Sequence, residues 1–497
     1  MNLYHWMVRV LIVIFVAGIC TTTGGTTTFA ASAKPVSVAG GGAHGIAAWS
    51  DGTVTGWGYN KYGQVGDGTS IDQYIPKPVA GLTDIIQVAA SGDASFALNR
   101  EGEVWAWGEN YSSNVSNDPI LPYKKIGPPV KLEGLKEVSY LAPAFRGYAG
   151  VAIHKDGTAT LWYSSYEAPD YTKNTVKYVP LKGITNARTG IIVNDDVLFL
   201  SPDGSVNLIS IYNNSYGRYR SGDDPIVVKS LNSSPISRIV GSYGDAFLLR
   251  KDGTVLRWNK DSQQPAVIKG LTGIYDLQTG SKHLYLLKQN GTVWQWNYNG
   301  GPMARPYQIK GLAGITTLWG STGQMGFALH KNGELLAWSE GYNAGLVTGS
   351  GSPAANDAIV ANIQQPLFWT VNGRSVRFYG TSAIIGGELY VPYTSVFEAL
   401  GIKITLGQSN PDPKYYNNRF PVWTLLYGGN TLIIKASSPA EVFVNGKRSD
   451  QGITIRSLSD TTMFPLEAIQ EILGFELQWN KTTGEVVLDS TEMQGVE

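Results

Sequence analysis

Histidine and cysteine are the residue types most able to hold a transition metal or move a proton near neutral pH. The chain has five histidines and one cysteine. His5 and Cys20 fall in the first thirty-three residues, which leaves His44, His154, His283 and His330. Their spacing is informative. His44 and His283 each stand eight residues before the glycine of an acidic-or-amide–Gly pair, and His154 and His330 stand three before one. Residues at equivalent places in different repeats sit far apart in a repeat protein, so these four imidazoles are read as structural, with no shared metal site. The nucleophile elbow, the phosphate-binding loop and the paired zinc-ligand motif are absent from the sequence. Asp67-Gly68-Thr69 and the acids of the Gly pairs read as turn formers rather than catalytic carboxylates.

The elements that carry these residues follow from the repeat. An acidic or amide residue precedes Gly at Gly52, Gly102, Gly157, Gly204, Gly253, Gly291 and Gly333, at periods of 38 to 55 residues. Alternating apolar stretches flank each pair, as in Phe96-Ala97-Leu98 before Gly102 and Thr254-Val255 after Gly253. That is a β-hairpin whose glycine supplies positive φ. Five residues beyond the glycine stand Trp57, Trp107, Trp162, Trp258, Trp296 and Trp338, with Ile209 in the fourth unit. A buried indole contributes about 2 to 3 kcal/mol by area, so one per unit can cement adjacent sheets. Sugar stacking is the alternative use of such a ring, and the regular register favours packing. Closing segments such as Val79-Ala80-Gly81-Leu82 and Ile309-Lys310-Gly311-Leu312 complete four short strands per unit. Four strands and no helical period mean propeller blades rather than an α-solenoid.

The first unit resembles the regulator of chromosome condensation repeat: His44, then Trp57-Gly58-Tyr59-Asn60-Lys61-Tyr62-Gly63-Gln64-Val65-Gly66-Asp67-Gly68-Thr69. The second unit keeps Trp107-Gly108-Glu109-Asn110, and later units keep the hairpin glycine, the tryptophan and the closing glycine. The resemblance runs from about Val36 to Pro366 and implies a seven-bladed β-propeller. The eponymous members exchange nucleotide on a small GTPase and bind chromatin. Neither role is expected here. Lys plus Arg equals Asp plus Glu at 39 each, so nothing steers a polyanion such as nucleic acid toward the chain.

The start of the chain argues for export. Arg9 precedes an apolar run from Val10 to Cys20 and then small residues to Ala33, the layout of a secretory signal peptide. That run is about half the roughly 20 residues a spanning helix needs, so no stable membrane span is expected after cleavage. Lipid attachment at Cys20 is a lesser alternative, since Ile19 stands where a small residue is required. Removal of residues 1–33 leaves a chain without cysteine, and so without disulfides, and places it away from any GTPase.

Beyond the propeller, assigned to 34–366, the pattern changes over 367–490. Val371-Asn372-Gly373-Arg374 matches Val444-Asn445-Gly446-Lys447, and Glu398-Ala399-Leu400-Gly401 matches Glu471-Ile472-Leu473-Gly474, both at an offset of 73. Each half reads as hairpin, strand, short helix and strand, so the fold class is mainly β with a small duplicated α+β domain. Val391-Pro392, Glu398-Ala399-Leu400-Gly401, Asn445-Gly446-Lys447 and Trp479-Asn480 make this region similar to the copper amine oxidase N-terminal-like domain, a stalk module of exported proteins in Gram-positive bacteria. The resemblance implies no copper and no other cofactor, because in that family the metal belongs to a separate catalytic domain.

Eleven of the 27 tyrosines lie in the loops after the repeat tryptophans, most densely at Tyr163, Tyr166, Tyr212, Tyr216 and Tyr219. These loops leave the same end of equivalent strands and should ring one face. Two readings stand side by side: a tyrosine-rich contact surface like a paratope, or rings that cap sheet ends beside the tryptophans. The resulting expectation is an extracellular, secreted or wall-associated protein, not an enzyme. Its propeller face would bind a protein or a cell-wall glycan, with the second domain as stalk or attachment module. The alternative is a glycan-active enzyme with its site in the propeller channel. The export reading predicts a mature N-terminus near Ala31 or Lys34, to be checked by mass spectrometry of protein secreted by the native host; a cytosolic chain with Met1 intact would overturn it.

Overall fold

The computed structural model describes residues 33–490 apart from 110–126, 145–148, 167–173, 214–217, 220–228, 232–234, 300–304, 340–360, 363–365, 379–381, 411–418 and a few single or paired positions. Seven four-stranded antiparallel sheets follow one another up to Asn362. In blade 1, strands Pro35–Gly40, His44–Trp49, Val54–Gly58 and Gln73–Pro78 lie side by side in chain order. Blades 2 to 7 open with strands that start at Ile85, Val138, Thr189, Ile236, Ile274 and Ile315. First strands of successive blades abut one another, so they form the inner wall, and fourth strands form the rim. The fold is a seven-bladed β-propeller.

The repeat residues work at the seams between blades. Each hairpin glycine has φ between 78° and 94°. In blades 1 to 4 and in blade 6 its carbonyl also accepts a hydrogen bond from the entry of the next blade, as in Ile85 N to Gly52 O at 3.1 Å and Val138 N to Gly102 O at 3.1 Å. A Cβ on Gly102 would sit 2.7 Å from the Val138 nitrogen, so the position excludes other residues twice over. Trp57, Trp107, Trp162, Trp258 and Trp338 are 0 to 4% exposed. Each packs on the preceding blade: Trp162 lies edge-on to Phe96, Trp338 to Tyr285, and Trp57 to Phe327 of blade 7. The residue paired with the tryptophan on the second strand is Gly45, Ser95, Gly150, Ala246 or Gly326. A Cβ on Gly150 would stand 2.2 Å from the Trp162 ring. In blade 6 that partner is Leu284, which leaves no room for an indole laid across the strand, and Trp296 is only partly buried.

A second set of bonds stitches the inner wall. The Gln87 side chain accepts from Leu141 N at 2.9 Å and donates to Leu141 O at 3.0 Å, so its amide acts as an extra peptide group between blades 2 and 3. Ser37 does the same for Val88, Arg188 donates to Ser237 O, and Gln278 donates to Leu318 O. Between blades 5 and 6 the stitch is an ion pair, Arg238 Nε to Asp276 Oδ1 at 2.9 Å. The ring closes between blades 7 and 1 without a shared strand. Gly40 N donates to Gly320 O at 3.2 Å and Thr322 N to Gly40 O at 2.9 Å.

In the second domain the duplication appears as two helices, α1 (Ser395–Ala399) and α2 (Leu466–Leu473), each after a hairpin of sheet Ala383–Ile385, Glu388–Pro392, Thr461–Pro465 and Arg456–Leu458. α2 buries Leu466, Ile469 and Leu473 and ends at Gly474 with φ 84°, a left-handed stop. Asn372-Gly373 and Asn445-Gly446 both have two positive φ values, the turn that a two-residue hairpin needs. Strands Pro421–Tyr427 and Asn430–Lys435 between the halves build a five-stranded sheet, a departure from strict duplication. Phe368–Val371 pairs in parallel with Glu485–Asp489, which ties the two ends of the domain together.

His44 sits inside the first seam, fully buried. Ser95 Oγ donates to Gln64 O at 2.8 Å, so its oxygen accepts the proton of His44 Nε2, also at 2.8 Å. Trp107 Nε1 donates to the same Gln64 carbonyl at 2.9 Å. Burial holds the imidazole neutral, with its pKa pushed down to about 3. Two outcomes follow. Trp107→Ala should cost about 3 to 5 kcal/mol as a large-to-small core change, read as a lower denaturant midpoint; an unchanged midpoint would remove Trp107 from the core. Because the unfolded histidine titrates near 6.5, His44 stabilises fully above that pH, and this contribution falls by about 1.4 kcal/mol per unit as pH drops toward 3. Denaturant melts at pH 7 and 4.5 should show a smaller loss for His44→Gln than for the wild type, and parallel losses would show that His44 titrates normally.

Candidate ligand face

In every blade the antiparallel order puts the end of the first strand, the start of the second, the end of the third and the start of the fourth at the same end of the sheet, and these strand ends define one face. The opposite face carries the hairpin glycines. Third strands mostly end one residue past the repeat tryptophan, as Val54–Gly58 and Val104–Gly108 do. Blade 3 is different. Its third strand, Ala159–Tyr166, runs four residues past Trp162 and pairs with Asn174–Pro180 out to Tyr166 and Asn174. Blade 4 adds a separate small ladder in which Tyr212 pairs with Tyr219. Blades 3 and 4 therefore stand out beyond their sheets on this face.

Of the tyrosines expected there, Tyr163 is half-buried and packs on the core between blades 3 and 4. Tyr166, Tyr212 and Tyr219 are placed by their backbones in the extended ladders. Tyr216 lies outside the described residues, as do Tyr111, Tyr171 and Tyr342. Tyr298 in blade 6 does cap a seam. It is 6% exposed, donates to Ser242 Oγ at 2.6 Å and lies edge-on to Phe247. Tyr298 thus follows the reading of rings that cap sheet ends.

Among the described residues, Asp93, Asp245 and Arg257 near this face have partners inside the fold. Asp93 accepts from Gln64 Nε2 at 2.9 Å, and its carboxyl is raised by burial against the opposing pull of that bond. Asp245 receives Arg257 through both oxygens, at 2.6 and 3.0 Å, and the guanidinium also faces the Tyr298 ring. Asp196 is raised by burial. Within the seven first strands Asp276 is the one carboxylate, raised by burial and opposed by Arg238. His154 bridges Lys136 O and Thr160 Oγ1 on the hairpin side of blade 3, away from His44, His283 and His330 in blades 1, 6 and 7. Among the described residues no three His, Cys, Asp or Glu side chains converge as metal ligands, and no helix is long and apolar enough to cross a membrane.

Family models for the regulator of chromosome condensation (RCC1) repeat match residues 51–98 and 85–113, and the model of the copper amine oxidase N-terminal domain matches 370–488. The mouse E3 ubiquitin-protein ligase HERC2 is 31% identical over 131 residues, 26% of this chain and 3% of the ligase. The ultraviolet-B receptor UVR8 of Arabidopsis thaliana is 26% identical over 238 residues, so the chain spans 45% of itself and about half, 52%, of the receptor. Among solved structures, Prp20p of Saccharomyces cerevisiae, described with its binding to Gsp1p and histones, aligns with TM-score 0.45 at 20% identity, over 59% of this chain and 81% of that one. Yeast RCC1 (Prp20) bound to Kap60 aligns with TM-score 0.47 at 18% identity, over 63% and 84%. The chain is a seven-bladed propeller with regulator of chromosome condensation repeats at residues 51–113, followed by a copper amine oxidase N-terminal domain at 370–488.

Proposed function

We propose that this is an exported, non-catalytic binding protein whose loop face takes a protein or cell-wall glycan outside the cell, with the C-terminal domain as stalk or surface-attachment module. The observation that carries the reading is the extension of blades 3 and 4 on one face, at the segments where the sequence concentrates tyrosine. Tyrosine offers large contact area at low entropic cost, and a few such rings can dominate an interface. The signal-like first thirty-three residues support an extracellular site, and the neutral charge balance argues against nucleic acid as partner. A glycan-active enzyme would need two carboxylates a few ångströms apart. The inner strands offer Asp276 alone, already paired with Arg238.

The partner is to be sought by pull-down from bacterial surface and culture fractions. Once it is in hand, Tyr166→Ala combined with Tyr216→Ala should weaken binding at least about tenfold, some 1.4 kcal/mol, with little change in melting temperature. Affinity that holds while melting temperature drops would make these rings packing residues and move the functional face elsewhere.

A further inference from the structure

The fourth strand of blade 1, Gln73–Pro78, has six residues, whereas those of blades 2, 5, 6 and 7 have two. Blade 3 lengthens its fourth strand by another route, the hairpin that continues to Tyr166 and Asn174. A rim strand should be wet on its outer side, yet Tyr74 and Ile75 are only 6% and 1% exposed. The C-terminal domain covers them. Ile75 belongs to that domain's main core, and Tyr74 packs with Ala383, Tyr390 and Met463 beside it.

The residue just before this pair is tied down from the other side. Gln73 Nε2 donates to Asp67 Oδ2 at 2.9 Å, and Asp67 Oδ1 accepts from Asn60 Nδ2 at 3.0 Å and from Thr69 N at 2.9 Å. Asn60 Oδ1 accepts from Val65 N at 2.9 Å. Asn60 and Gln73 are fully buried and Asp67 nearly so. Buried polar networks with mutual partners rigidify the backbone they join. This loop is also the stretch where the repeat signature is complete, and blade 1 is the blade that carries the other domain.

We propose that the signature loop of blade 1 is a bracket that fixes the rim strand on which the C-terminal domain is seated, so that the two domains move as one body. The inference concerns the joint alone and stands apart from what the propeller binds. In a seven-membered ring a domain held at blade 1 faces away from blades 4 and 5, so the joint also sets which edge of the propeller points outward.

Spin labels on cysteines introduced in the full chain at Lys182 and Lys447, with Cys20→Ser, read the joint by double electron–electron resonance. The parent should give one narrow distance distribution. Ile75→Asp, which disrupts the seat, and Asp67→Ala, which removes the bracket, should each at least double its width while the tryptophan fluorescence of the propeller stays native. Gln73→Leu keeps the volume but loses the bond to Asp67, and should widen the distribution in the same sense even if Asp67→Ala does not fold. A parent that is already broad, or a Gln73→Leu chain as narrow as the parent, would overturn the proposal.

Discussion

An indole laid across a strand needs a small residue beneath it and a neighbouring sheet above it, and the propeller is organised around meeting both needs at most of its seams. Gly45, Gly150 and Gly326 leave the space, and the preceding blade supplies the lid through Phe327, Phe96 and Tyr285. The contact is heterologous: the third strand of one blade packs on the second strand of the blade before it. Each blade therefore depends on its predecessor for burial, and no blade is complete alone. Where the small partner is missing, as at Leu284, the neighbouring Tyr298 takes over part of the seam by its ring and its hydroxyl.

This dependence makes closure the decisive step of the fold. A solenoid can leave its end blades half-covered, but a ring must give blade 1 a predecessor. Many rings could share a strand between first and last blades; here every blade is built from contiguous chain. Closure rests instead on close backbone approach at Gly40, Gly320 and Thr322 and on Trp57 against Phe327. A Cβ on Gly323 would lie 2.3 Å from Gly42 O, which shows how little space the turns of blades 7 and 1 leave each other. The glycine run Gly40-Gly41-Gly42 serves this approach.

Features with a local period were legible in the sequence. The hairpin glycine, the tryptophan five residues on and the offset of 73 in the second domain each repeat within one unit, and α2 ends at the glycine of the repeated Glu471-Ile472-Leu473-Gly474. Features that join units were not. Ser37, Gln87, Arg188 and Gln278 all bond to the backbone of another blade, and a side chain that seeks a main-chain partner some 40 to 54 residues away leaves no mark on its own neighbourhood. Tyr74 and Ile75 leave no mark for the same reason, since their partners lie in the other domain. Tyr298 belongs with them, since its seam partner Ser242 is one that spacing could not reveal.

The polar side chains buried at the seams have a structural role. A propeller of short blades has many edges, and each edge needs a polar partner that does not belong to the local ladder. His44, Asp93, Asp245 and the Arg238–Asp276 pair are spent there, each held by groups from its own or a neighbouring blade. Freeing any of them for catalysis would leave a buried donor or acceptor unmatched, a loss of about 1 to 3 kcal/mol at a seam on which closure depends. Connecting loops in general carry no such ladder obligation, because they run over the protein surface. Variation is cheapest there, and binding chemistry built on loops costs the ring least.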